Sequence, residues 1–200
     1  MTVGAPPTEW KSARWWQNRS LEERLTWAHL PPRWHGATYT ADRLSPTNAY
    51  AIGEFLNAES KSNGLFLHGP SGCGKTPTAV GLFRYILTSH KVSGRFITAE
   101  RYVEMLKDQF DNDNELPEMY SMPHIVKYLK GVFDIVVLDA VGQERATEFS
   151  YHEIGSLLRR RNEDCRTTIV TTHLSPTEFI RRYGDRVASV LEDMTIVRVA

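Results

Sequence analysis

The chain has 200 residues, enough for one α/β domain with a small appendage, and its 41% apolar content can fill a real core. Its 24 basic and 24 acidic residues cancel, so no basic tail announces a polyanion partner and any nucleic-acid contact must come from a local arrangement. Cys73 and Cys165 are far apart and lack partners at zinc spacing, which fits a reducing cytosol; no secretory leader opens "MTVGAPPTEW" and no apolar run approaches about 18 residues, so the expectation is a soluble cytoplasmic protein without membrane contact.

Tryptophan is concentrated at the start: Trp10, Trp15, Trp16, Trp27 and Trp34 all precede residue 35. A helix is expected from about Glu9 to Gln17. A second follows in "SLEERLTWAHL", where Ser20 and Glu23 stand at capping-box spacing and Pro31-Pro32 ends the run. The pair reads as a helical appendage, residues 1–35, ahead of a main domain, residues 36–200.

Strand and helix patterns then alternate. Strands are expected at 64–69, 95–100, 134–140, 167–173 and 194–200. Helices are expected at 76–90, 100–110, 148–164 and 175–184, with an acidic irregular stretch at 111–124. Five strands separated by helices argue for a parallel sheet in a layered, doubly wound fold.

"GPSGCGKT", residues 69–76, fits G-x-x-x-x-G-K-[ST] between a strand and a helix, the setting that gives the pattern meaning. Gly69, Gly72 and Gly74 allow positive φ, so that the backbone N–H groups of the loop Gly69, Pro70, Ser71, Gly72, Cys73 and Gly74, in which Pro70 alone carries none, can face one anion. The helix start adds partial positive charge, Lys75 reaches the β- and γ-phosphates of ATP, and Thr76 ligates Mg2+. Asp139, at the tip of an apolar strand, is the expected second magnesium-side residue. Two features depart from the pattern. Pro77 removes an N–H that could serve the α-phosphate, a charge-assisted bond worth on the order of 1.5–3 kcal/mol. Ala140 stands where a water-activating carboxylate commonly follows the aspartate, and Glu144, past a glycine turn, is a poor substitute.

The motifs "LPPRWHGAT", "GLFLHGPSGCGKT", "RFITAERYVEMLK", "VVLDAVGQERATEF", "TTIVTTHLSPTEF" and "YGDRVASVLED" cover most of residues 30–193. In order and spacing they resemble AAA+ ATPases, and within these the DnaC-type replicative helicase loaders and their IstB transposition relatives. The resemblance implies a P-loop AAA+ three-layer fold with about five parallel strands, ending near the fifth strand without a C-terminal lid domain. It implies catalytic roles for Lys75, Asp139, His173 as sensor (Thr172 being the alternative) and Arg186 as the arginine finger reaching a neighbour's γ-phosphate. Self-association through Arg186 follows. The family's second arginine is replaced by Val190.

By position, residues 1–35 correspond to the appendage with which loaders grip a hexameric replicative helicase, although two or three of the tryptophans are expected to pack on the chain's own core. A single-stranded DNA channel would draw on Thr98, Arg101, Tyr102, Lys107, Lys127 and Lys130. "RRR" at 159–161 is expected to close a helix and favour its dipole, with a subunit-interface role open. The function expected is an ATP-dependent helicase loader. An IstB-like transposition helper ATPase and a nucleotide-locked adaptor with negligible hydrolysis stand as alternatives.

Overall fold

The computed structural model describes residues 16–40, 44–57, 63–90, 92–111, 126 and 129–200. The expected first helix up to Trp15, the acidic stretch at 112–124 and Lys127 lie outside the described residues. Five parallel strands form one sheet in the order β2-β3-β4-β1-β5, with β1 Gly64–His68, β2 Gly94–Thr98, β3 Ile135–Val141, β4 Thr167–Thr172 and β5 Met194–Arg198. All five coincide with expected strands to within one or two residues. Leu65, Phe66 and Leu67 of β1 and Val136, Val137 and Leu138 of β3 have no exposed surface, because helices cover both faces of the sheet. Each such side chain contributes about 1.5–3 kcal/mol of burial.

Helices bounded within the described residues are α1 Leu21–Trp27, α2 Pro46–Leu56, α3 Lys75–His90, α4 Ala99–Asp111, α5 Glu148–Glu163, α6 Pro176–Tyr183 and α7 Ala188–Glu192. Their starts are chemically marked. Ser20 and Glu23 form the expected reciprocal capping box on α1, and Ser175 and Glu178 do the same on α6. The sequence reading omitted α2, although Ser45 caps it and Pro46 occupies its first turn. Among the described residues no helix is long and apolar enough to cross a membrane.

The N-terminal segment is stitched to the sheet. Leu25, Ala28 and Leu30 are buried in the common core, as is Trp16, and Trp27 and Trp34 pack against it. The Phe96 N–H of edge strand β2 donates to the Ala28 carbonyl at 2.7 Å, and the buried Arg95 guanidinium donates to Trp27 O at 3.4 Å. Residues 27–28 thereby cover the outer edge of β2.

Within the arginine run, Arg160 lies in the last turn of α5 as expected, paired with Asp164 at 3.0 Å, whereas Arg161 corrects the reading. Its side chain is fully buried, donating from Nε to Thr168 Oγ1 (3.0 Å) and from its two terminal nitrogens to the carbonyls of Leu129, Phe133, Asp134 and Thr167. It ties α5 to the starts of β3 and β4 and presents no charge to the helix end or to a neighbour. Burial, followed by the nearby Arg166, pulls its pKa down.

Candidate nucleotide site

The site forms where β1, β3 and β4 end on one side of the sheet. Gly69, Gly72 and Gly74 all take positive φ (146°, 81° and 100°), as the cradle requires. Gly69 is also forced by packing, since a Cβ there would lie 2.0 Å from the Val199 carbonyl oxygen. The loop then feeds α3, whose first residues are Lys75 and Thr76. Pro77 sits in that first turn, where its missing N–H breaks no helical bond.

A cavity of about 290 Å3 lies over this loop, lined by Ser71, Gly72, Gly74, Lys75, Thr76 and Pro77 on one side. Ala140, Gln143, Thr171, Thr172 and His173 close the other. Lys75 Nζ donates to the carbonyls of Gly69 (2.8 Å) and Pro70 (2.6 Å) and contacts Cys73 Sγ at 3.6 Å. A flexible ammonium held by its own loop is free to exchange these acceptors for phosphate oxygens.

Asp139 is buried and accepts two hydroxyls on Oδ1, from Thr76 at 2.8 Å and Thr171 at 2.6 Å. Thr171 in turn accepts the Ala140 N–H at 2.9 Å. Between Leu138 and Val141 the β3–β4 register shifts, and Ala140 sits at φ 58°. This β-bulge turns the Asp139 carboxylate toward Thr76. Thr76 and Asp139 are hard oxygen donors of the kind that suit magnesium. Among the described residues no group of three or more His, Cys, Asp or Glu could hold a metal by itself, so phosphate oxygens and water would have to complete the shell.

His173 is exposed on the rim, its ring lying over the Gly142 turn so that a Cβ there would sit 2.9 Å from its Cε1. Thr172, the alternative sensor, is committed elsewhere: its hydroxyl donates to Val141 O (2.7 Å) and accepts the Leu174 N–H (3.1 Å). Arg186 lies outside this lining, exposed on a 3-10 turn, Asp185–Val187. Val190 is buried. Glu144 is also buried, so it offers no base to the cavity.

One expected DNA contact needs correction. Tyr102 has no exposed surface, and burial followed by Glu153 raises its pKa, so its ring cannot stack on a base. Lys130 is paired with Glu153 at 3.0 Å. Of the others, Thr98 Oγ1 accepts the Arg101 N–H, Arg101 pairs with Glu104 at 3.2 Å, and Lys107 is exposed. Sequence reasoning missed Thr171, whose signal was a polar residue at the buried tip of a central strand.

No protein-family model matches the sequence, and no curated protein matches it. Solved structures do. The chain is similar to the DnaC helicase loader, with a TM-score of 0.67 and 21% identity, over 84% of this chain and 99% of that one. It is similar to domain III of the Thermotoga maritima replication initiation protein DnaA (TM-score 0.66, 17% identity, 86% of this chain and 68% of that one). It is also similar to the replication initiator DnaA bound to AMPPCP and single-stranded DNA (TM-score 0.62, 17% identity, 85% and 50%). At these identities the likeness establishes the fold, the P-loop AAA+ fold with a five-stranded parallel sheet.

Proposed function

We propose that the chain is an ATP-binding AAA+ helicase loader that self-associates, holds single-stranded DNA and docks on a replicative helicase through residues 1–35. The observation that carries the ATP site is the meeting of Lys75 and Thr76 at one cavity, with Thr76 bonded to the buried Asp139 across 63 positions of sequence. The fold shared with a helicase loader and with replication initiators supports a replication reading.

The roles follow from the positions. The positive-φ glycines turn backbone N–H groups toward the phosphates, and the start of α3 adds its dipole. Lys75 leaves the Gly69 and Pro70 carbonyls for the phosphate oxygens. Asp139, held by Thr171, and the Thr76 hydroxyl would hold a magnesium ion, which would supply charge neutralisation for the phosphates. His173 senses the γ-phosphate from the rim, and Arg186 reaches a neighbour's site.

Ala140 limits hydrolysis. Its methyl lines the cavity and can neither orient water nor accept a proton, so we infer that ATP binds and turns over slowly. This favours a chain that spends most of its cycle nucleotide-bound, as an adaptor does. The mass of the chain mixed with a hexameric replicative helicase, with and without ATP and Mg2+, tests the loader reading. An ATP-dependent complex is expected. No complex under any nucleotide condition would overturn it.

A further inference from the structure

Glu144 is a carboxylate enclosed by three donors. The Gly142 N–H donates to Oε2 at 2.8 Å, the Tyr183 hydroxyl to Oε1 at 2.6 Å, and the Arg182 guanidinium to Oε1 at 3.2 Å; Arg182 also reaches the Glu144 carbonyl at 3.4 Å. Its side chain has no exposed surface. A buried carboxylate is costly unless its partners are fixed, so these donors cannot drift independently of it.

The donors come from two places. Gly142 belongs to the turn between Ala140 and Gln143, both of which line the cavity. Arg182 and Tyr183 end α6, and the chain continues through Gly184, at φ 88°, into the turn bearing Arg186. That end is itself held. Tyr183 packs at a tilt against Phe179 (4.5 Å between centroids) and edge-on to Tyr151 (5.7 Å), and the Arg182 cation lies 5.2 Å from the Tyr151 ring centroid. Val187 is buried beside Gly155 of α5. Burial and the Glu144 carboxylate raise the Tyr183 pKa, so its hydroxyl remains a donor.

We propose that Glu144 is a positioning residue that fixes the wall of the chain's own nucleotide site and the Arg186 turn in one unit, so that the finger is presented to a neighbour at a set angle to the site behind it. The proposal rests on the reading of Arg186 as a finger acting between subunits. Glu144 touches neither phosphate nor metal; it acts through Gly142 on one side and through Arg182 and Tyr183 on the other.

Sedimentation velocity with ATP and Mg2+ on the parent, E144Q, Y183F, R186A and the double variant E144Q/R186A tests it, beside calorimetric ATP titration of E144Q. E144Q is expected to weaken ATP-dependent association about tenfold, and Y183F, which loses one donor, about threefold. ATP affinity of E144Q stays within about threefold of the parent. Adding E144Q to R186A is expected to weaken association no further, because both act on one contact. Parent-like association of E144Q, a loss that adds to that of R186A, or an ATP affinity that falls in step with association would overturn the proposal while leaving the finger reading in place. If E144Q does not fold, Y183F decides, and parent-like association of Y183F overturns it. A parent that never associates with ATP would overturn the finger reading, and this proposal with it.

Discussion

Thr171 holds Asp139: its hydroxyl donates to the Asp139 carboxylate at 2.6 Å from the neighbouring strand, at the point where the β3–β4 register slips. The same oxygen accepts the Ala140 N–H, so one buried threonine sets both the carboxylate and the bulge that aims it. Thr171→Val keeps the shape and removes the hydroxyl. It should cost about 1–3 kcal/mol of stability, because the Ala140 N–H loses its acceptor. It should also weaken ATP binding more with Mg2+ than without, which paired titrations would measure. Equal weakening in both conditions would place Thr171 outside the metal side of the site.

Ala140 bears on both strain and chemistry. An alanine at φ 58° is strained by roughly 1–2 kcal/mol, against which glycine loses more chain entropy on folding. Ala140→Gly is therefore expected to stabilise the protein by up to about 1 kcal/mol in denaturant unfolding. Ala140→Asp should raise ATP turnover at least about tenfold at saturating ATP, a barrier change of roughly 1.4 kcal/mol. Aspartate tolerates positive φ better than glutamate, so Ala140→Asp should fold better than Ala140→Glu. Brisk turnover by the parent, unchanged by either carboxylate, would mean that another residue supplies the base.

Arg161→Leu should destabilise the fold by at least about 3 kcal/mol, since it strips four carbonyls and the Thr168 hydroxyl of a buried charged donor. Thermal unfolding would register the change. A loss below about 1 kcal/mol would mean that water replaces the guanidinium.

The N-terminal segment has two separable parts. Leu25→Ala should cost about 2–5 kcal/mol, because α1 belongs to the common core. Deleting residues 1–35 would uncover the edge of β2 as well as remove the proposed helicase handle. Deleting residues 1–15 leaves every described contact in place and should weaken helicase capture while ATP titrations stay unchanged. Full capture by the shorter chain would move the interface to residues after 15.

The sheet and the phosphate cradle were legible because each has a local signal. The strands are short runs rich in apolar and β-branched residues, and the glycines, Lys75 and Thr76 sit within eight residues. Arg161 and Tyr102 were legible in principle. Ile154, Leu157, Leu158 and Arg161 share one helical stripe, as do Ala99, Tyr102, Val103 and Leu106, and weighing that periodicity above charge and aromaticity would have buried both. Thr171, Glu144 and the Ala28–Phe96 bond were not legible. Apart from Gly142, which neighbours Glu144, their partners lie 31 to 68 positions away, and neither a bulge register nor a covered strand edge leaves a spacing in the sequence.

The ATP site is tested most directly by calorimetric titration of ATP with Mg2+ into the parent and Lys75→Ala. Lys75 bonds only to atoms of its own loop, so its loss should leave the unfolding midpoint within a degree or two, roughly what a surface substitution costs. The expected result is one saturable site per chain in the parent and no measurable binding in Lys75→Ala. Equal affinity in the two proteins would contradict the assignment of this cavity to ATP.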